Sequence, residues 1–196
     1  MLRQQRFPFL LAAIALPVVA GLGLVYLLFA ATGGMDAMSV DMNVSGNSAT
    51  SLGTHDFCVQ VSAGATVTAD VTAYGIPSSH AMIAYAYTLS YNPSALSVTG
   101  QDPNFLLASA PGSTIFNAGD PRPDTDGNFQ ASVADLNTNA TESGSGVLDR
   151  LTIKVASNAS NGRYTLALSS AGHIDGSAHA DAHSVTHAGA LLPRRR

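Results

Sequence analysis

The chain has 196 residues, only 11% of them charged, and a formal net charge of −4 at pH 7. Five of the nine basic residues lie at the two chain ends, so the 13 acidic residues dominate everything between them. Because nucleic-acid binding depends on lysine and arginine side chains that displace phosphate counterions, this distribution argues against a nucleic-acid partner.

The first 34 residues are predicted to be a membrane anchor or a signal segment. Residues 7–31 form a run of 25 uncharged residues, which as a helix rising about 1.5 Å per residue would cross a hydrocarbon core of roughly 30 Å. Arg3 and Arg6 should stay on the inner side of the membrane. The length favours a single-pass anchor with the rest of the chain outside the cell. Cleavage at the small residues 31–33 would instead give a secreted protein.

Residues 35–172 are predicted to form one all-β domain. Short segments in which apolar and polar residues alternate are separated by turn residues, and no amphipathic helix is evident after residue 31. This pattern predicts a β-sandwich of eight or nine strands. The strand candidates are residues 39–44, 57–61, 65–74, 83–91, 96–98, 114–116, 129–133, 147–155 and 164–168.

The clearest strand carries three tyrosines, Tyr85, Tyr87 and Tyr91, which share one parity with neighbouring aliphatic residues. Side chains of one parity lie on one face of a strand, so we expect these rings in the core. The alternative is a flat aromatic platform for sugar rings. The chain has no tryptophan, the commonest residue in such platforms, which weakens that alternative.

Two turns are predicted to form hairpins. Asn92-Pro93-Ser94 has the residue types of a tight reversal and should pair the tyrosine strand with residues 96–98. Asn161-Gly162 is a strong hairpin signal and should pair residues 147–155 with residues 164–168.

Cys58 is the single cysteine, so no disulfide can form within the chain. Free cysteine is usually a small buried apolar side chain, and we expect Cys58 to be buried in a strand. The alternative is a thiol whose partner lies on another chain.

Three acidic residues, Asp120, Asp124 and Asp126, lie close together in the loop of residues 120–127, which ends in glycine. Hard cations such as Ca²⁺ prefer several carboxylate oxygens within one turn. The spacing does not fit an EF-hand, because Arg122 and Val133 would occupy positions that need carboxylates. We interpret the loop as a solvated turn, with structural calcium on the three aspartates as the alternative; no other cofactor is predicted.

Residues 173–196 are predicted to be a separate tail that ends in three arginines. His179, His183 and His187 are spaced by four residues, and on a helix they would share a face able to hold zinc or copper. The surrounding glycine, alanine and serine favour a disordered tail instead.

Several of these segments resemble parts of cohesin domains. The resemblance covers residues 40–168: the strand of residues 65–74, the tyrosine strand with the turn and Leu96 after it, Asp126-Gly127, and residues 143–148 before residues 151–155. One departure is Asn92, where the family usually has aspartate. The resemblance implies a nine-stranded jelly-roll sandwich that binds dockerin modules through one sheet face.

No catalytic motif is present, so the chain is predicted to be non-enzymatic. The resemblance and the N-terminal segment together predict a cell-surface docking module with an exported, dockerin-like protein partner. The alternatives are a carbohydrate-binding module of the same fold, whose partner would be an extracellular polysaccharide, and a structural surface protein that assembles with itself.

Overall fold

The computed structural model describes residues 33–194, which are almost entirely β-structure with two short 3-10 turns, Ser78–His80 and Leu106–Ala108. The predicted N-terminal anchor lies, except for its last two residues, outside the described residues. Within residues 33–194, no helix has the length and apolarity needed to span a membrane. The eleven strands are β1 (Gly33–Asp41), β2 (Cys58–Ser62), β3 (Thr66–Ile76), β4 (Met82–Ser90), β5 (Leu96–Asp102), β6 (Ile115–Asn117), β7 (Asn128–Asp135), β8 (Gly144–Val155), β9 (Tyr164–Asp175), β10 (Ala180–His187) and β11 (Gly189–Arg194).

The strands form a sandwich of two layers. Hydrogen bonding follows the order β5-β8-β3-β1-β10-β9-β4-β7-β6, with β11 paired to both β2 and β9. The sheet folds back on itself, since the hydroxyl of Tyr85 on β4 donates to the carbonyl oxygen of Leu148 on β8 across the core at 3.0 Å. The predicted all-β sandwich is therefore confirmed.

The core is built from the alternating apolar residues of both layers. Tyr85, Tyr87 and Tyr91 are all buried in it, as the parity of the tyrosine strand predicted. Fully burying a large apolar side chain stabilises a fold by about 1.5–3 kcal/mol. These rings therefore hold the two layers together and offer no platform for sugar rings.

Both predicted hairpins are wrong. β4 pairs with β7 and β9, whereas β5 pairs with β8. β8 in turn pairs with β3 and β5, whereas β9 pairs with β4, β10 and β11. Each turn therefore carries the chain from one layer to the other. Turn residues such as Asn92 specify a chain reversal. The strands before and after each turn lie in different layers, so they contact each other through side chains and form their hydrogen bonds with other strands.

The C-terminal region differs from the predicted tail. Residues beyond 172 complete β9 and form β10 and β11. β10 runs parallel to β1 and antiparallel to β9, so it joins the two layers. Leu191 of β11 is fully buried in the core. The composition of this region disfavours a helix, and the chain forms extended strands instead.

Cys58 lies on the outer side of β2 and is exposed, so the expectation of a buried cysteine is wrong. Its neighbours Val59 and Val61 pack against the core. Successive side chains of a strand point to opposite faces, which leaves Cys58 in solvent. Pairing of Cys58 with another chain stays a prediction.

A candidate docking face

The outer side of β3, β8 and β5 presents a grid of residues, with a register shift on β5 between Val98 and Gly100, which we call the docking face. Its three rows are given by the strand register: Thr66, Lys154 and Ser97 in the first, Thr68, Thr152 and Gly100 in the second, and Asp70, Arg150 and Asp102 in the third. These residues alternate with buried residues such as Leu151 and Ile153, which point into the core. The first two rows are therefore open to solvent and consist mainly of hydroxyl side chains.

Arg150 is the central residue of the third row, between Asp70 and Asp102. Its guanidinium group donates from Nε and NH2 to the two carboxylate oxygens of Asp70 at 2.7 and 2.8 Å, and it lies 4.9 Å from the ring centre of Phe105. Hydrogen bonding to Asp70 raises the pKa of Arg150 above its ordinary value, although burial opposes the shift. A bidentate pair and a stacked ring fix the orientation of the side chain. Arg150 is therefore a rigid feature of the face, still 28% exposed.

A loop of residues 43–56 forms a rim along one end of the docking face. The amide nitrogen of Asn47 donates to Asp41 and to Asp70, both at 3.0 Å. The carbonyl oxygen of Ser48 accepts the N–H of Val147 on β8 at 3.0 Å. Gly146 has no side chain where the loop crosses it, and a Cβ there would overlap the carbonyl oxygen of Ala49. The loop therefore limits the docking face to the three rows.

The loop of residues 120–127 covers the edge of β5. Asp124 and Val98 exchange two backbone hydrogen bonds, at 2.8 and 3.1 Å. An exposed strand edge invites pairing with another chain, and this bridge together with the prolines at positions 121 and 123 blocks such pairing. The sheet face, rather than the sheet edge, is thus the surface that β5 leaves accessible.

The three aspartates of that loop each have a hydrogen-bond partner. Asp120 accepts the backbone N–H of Gln130 at 2.7 Å, and Asp126 accepts that of Asn128 at 2.9 Å. The buried Asp124 accepts the hydroxyl of Tyr91. These contacts account for the three carboxylates as parts of a turn, and calcium binding by them stays a prediction.

Behind the docking face lies a buried carboxylate, Asp149 on β8. It accepts the hydroxyl of Tyr87 at 2.6 Å and the amide of Gln101 at 2.9 Å. Gln101 in turn accepts from the guanidinium of Arg122 at 2.7 Å. Burial raises the pKa of Asp149 to about 6, even though these hydrogen bonds and the charge of Arg122 act to lower it. The network links the core to the loop that covers β5.

In the sequence, Asp70 and Arg150 alternate with apolar residues such as Ala69 and Leu151, which indicates the polar side of each strand but not that the two charges form a pair. The missing information is the register of β3 against β8, which places Asp70 directly beside Arg150. Opposite charges on the polar side of two strands are a signal only once those strands are known to be neighbours.

A family model of the cohesin domain matches residues 58–191, more than half of the chain. The chain belongs to the cohesin family. Its solved relatives include three cohesins of low sequence identity that share this fold. The sixth cohesin from scaffoldin B of Acetivibrio cellulolyticus, in complex with a Cel5 dockerin, is 19% identical, with a TM-score of 0.59 over 83% of this chain and 100% of that one.

The OlpC cohesin of Clostridium thermocellum, also solved in a dockerin complex, is 14% identical, with a TM-score of 0.60 over 85% of this chain and 97% of that one. The non-cellulosomal cohesin from the archaeon Archaeoglobus fulgidus is 12% identical, with a TM-score of 0.52 over 82% of this chain and 92% of that one. Among curated proteins no sequence matches significantly.

The departure at Asn92 has a simple local consequence in this cohesin domain. Its side-chain oxygen accepts the backbone N–H of Ser94 at 3.0 Å and its hydroxyl at 2.7 Å. An amide oxygen accepts these bonds as a carboxylate oxygen would. The substitution thus keeps the turn and removes one negative charge.

Proposed function

We propose that this cohesin domain is a non-enzymatic docking module that binds a dockerin-like protein through the outer face of β3, β8 and β5. The observation that carries the proposal is the grid of hydroxyl side chains in the first two rows, with the partly exposed Arg150 held rigidly by the buried Asp70 in the third. Membership of the cohesin family and the dockerin complexes of two solved relatives support a dockerin-like partner.

The grid by itself is smaller than a protein interface. Three strands about 4.8 Å apart and three rows about 6.8 Å apart span roughly 10 Å by 14 Å between outer Cα atoms. A stable protein interface covers about 800 Å² on each partner. A protein partner centred on the grid must therefore extend beyond it, over Phe105 and the rim loop.

The chemistry of the face favours hydrogen bonding over charge attraction. Lys154 and Arg150 are balanced by Asp70 and Asp102, and threonine hydroxyls, which donate and accept, occupy the centre. Rigid polar groups in a defined register give specificity to a partner that matches them. We therefore expect a partner helix or loop with complementary hydroxyl and amide groups, placed so that an acceptor meets Arg150.

The test uses two matched variants in which an exposed strand residue becomes arginine. Thr68→Arg places a long charged side chain at the centre of the docking face, whereas Ser169→Arg places one on β9 in the other layer. Binding to a panel of purified dockerin modules is measured by surface plasmon resonance. We expect Thr68→Arg to weaken binding at least tenfold, about 1.4 kcal/mol, and Ser169→Arg to change it less than twofold.

Two outcomes would contradict the proposal. Unchanged binding by Thr68→Arg, or a larger loss in Ser169→Arg, with unchanged melting temperatures, would place the interface elsewhere. Retention by insoluble polysaccharides, with no dockerin bound, would indicate a carbohydrate-binding module instead.

We further propose that the module is displayed outside the cell and is held there by the predicted N-terminal anchor. Cys58 gives a direct test, because it is the single cysteine of the chain and is exposed. A membrane-impermeant maleimide should label Cys58 on intact cells. Labelling only after lysis would refute the external location, and a Cys58→Ser variant controls for other targets.

A further inference from the structure

A cluster of imidazole and carboxylate groups lies where the chain enters β4, beside the turn from β9 to β10. One oxygen of Asp181 is 3.4 Å from Nδ1 of His80, and its other oxygen is 3.3 Å from Nε2 of His179. The ligand atoms of all three residues lie within 4.8 Å of one another. None of the three belongs to the docking face.

Two of these separations match those between neighbouring ligand atoms of a metal site. Zinc binds histidine nitrogen and carboxylate oxygen at about 2.0–2.2 Å in tetrahedral geometry, which places neighbouring ligand atoms roughly 3.3–3.5 Å apart. The contacts of Asp181 with His80 and His179 already have this spacing. An ion placed among the three groups therefore requires only small side-chain adjustments.

The backbone around the ligands is held in place by hydrogen bonds. One oxygen of Asp175 accepts the N–H groups of Ser177 and His179 at 2.8 and 2.9 Å, and the N–H of Asp175 donates to the carbonyl oxygen of His179 at 2.9 Å. These bonds close the turn and fix His179 relative to the end of β9. A site whose ligands are ordered beforehand binds its ion with less loss of conformational entropy.

His173 fixes the third ligand segment. Its Nε2 lies 2.8 Å from the carbonyl oxygen of His80, and its backbone is the β9 partner of Asp181 in the strand register. His173 is fully buried, and its Nε2 also lies 3.6 Å from an oxygen of Asp181. It is therefore a positioning residue that contacts the segments carrying both His80 and Asp181.

The donor types select the metal. Imidazole nitrogen favours zinc, copper and nickel, whereas calcium prefers oxygen ligands alone. The side chains of His80 and His179 are 44% and 55% exposed, so an ion can enter from solvent. A water molecule completes a tetrahedral site, and Asp175, whose oxygen lies 3.2 Å from Nδ1 of His80, offers a carboxylate nearby.

We propose that His80, His179 and Asp181 bind a divalent transition metal, zinc above all, which clips the β9–β10 turn to the segment that leads into β4. The site differs from the histidine pattern visible in the sequence. β10 is a strand, so the four-residue spacing of a helix face does not apply to it. The structure instead joins His179 to His80, which lies far from it in the sequence. The inference is independent of the proposed docking function.

The experiment uses the full chain without a polyhistidine tag, titrated with zinc in competition with a chromophoric chelator. The test variants are His179→Gln and Asp181→Asn. The matched control is His187→Gln. His187 lies at the far end of β10, about 20 Å from Asp181 at the usual rise per residue of a strand. We expect one tightly bound zinc in the parent chain, at least tenfold weaker binding in both test variants, and parent-like binding in the control.

Thermal unfolding with and without zinc gives an independent readout. Zinc should raise the melting temperature of the parent chain and of His187→Gln, because a ligand that binds only the folded state stabilises it, and it should not raise that of His179→Gln. His179 is exposed, so this variant should match the parent in melting temperature when zinc is absent. Equal zinc binding by the parent and His179→Gln, or no saturable binding by the parent, would overturn the proposal.

Discussion

Replacing Asp149 with asparagine should remove a pH-dependent contribution from the stability of the fold. Asp149 is fully buried, and its carboxylate accepts hydrogen bonds from Tyr87 and Gln101. Burial penalises the charged form more than these bonds favour it, so the pKa rises from 3.8 to about 6. The folded chain therefore binds a proton at Asp149 more tightly than the unfolded chain does.

The magnitude follows from the pKa difference. Each pKa unit corresponds to 1.36 kcal/mol, so a rise from 3.8 to about 6 amounts to about 3 kcal/mol. The stabilising contribution is fully present below about pH 4 and is lost as the pH rises through about 6. In the Asn variant, the residue at this position does not titrate.

The assay is urea denaturation of the parent chain and Asp149→Asn at a series of pH values from 4 to 8. The difference between their free energies of unfolding isolates Asp149, because the other carboxylates titrate in both proteins. We expect the parent to gain about 2.5 kcal/mol of this contribution relative to the variant as the pH falls from 8 to 4. Asp126 is exposed, so Asp126→Asn serves as a control. The parent should show no such gain in stability relative to this control.

A difference that does not vary with pH would refute the reasoning. It would mean that the hydrogen bonds from Tyr87 and Gln101, with the charge of Arg122, compensate the burial of the carboxylate completely. If the parent lost stability relative to the variant at low pH, the hydrogen bonds and the charge of Arg122 would outweigh the penalty for burying the carboxylate.

Substitutions at two further residues test the core and the docking face. Tyr87→Ala should lower the free energy of unfolding by about 3–5 kcal/mol, because it removes a large buried side chain; Tyr87→Phe should cost about 1–3 kcal/mol, since only the hydrogen bond to Asp149 is lost. A loss below 1 kcal/mol for Tyr87→Ala in urea denaturation would contradict the burial of the ring. Asp70→Ala should cost about 3 kcal/mol, the lower end for breaking a buried ion pair because Arg150 is partly exposed. If thermal melts showed Asp70→Ala to be as stable as the parent, the pair would not hold the third row in place.

The sequence predicts the strands well because each has a buried face that alternation reveals. β3, β4, β7 and β8 all lie within a few residues of the predicted segments, and the tyrosine parity correctly placed three rings in the core. Alternation reports which side of a strand is buried. It carries no information about which strand lies next to it.

That limit explains the errors. The turn at Asn92 predicts a hairpin, because hairpins and connections between layers use the same turn residues. The cluster around His80 and His179 was missed for the same reason, since the two histidines are brought together only by the pairing of β9 with β10 and of β9 with β4. Asp70 is buried although it lies on the polar side of β3, because Asn47 of the rim loop and Arg150 contact it.

The pairing of β1 with β10 has a consequence for how the molecule folds. Met38 lies beside Val185 in the register, so one of the first strands of the described region depends on one of the last. Ordering so long a stretch of chain before the contact forms makes folding slow, in the range of milliseconds to seconds for β-proteins with distant partners. During synthesis, unpaired strand edges stay exposed until the C-terminal strands emerge. A truncation after residue 172 would remove β10 and leave β1 and β9 as open edges, so we expect such a fragment to aggregate rather than fold.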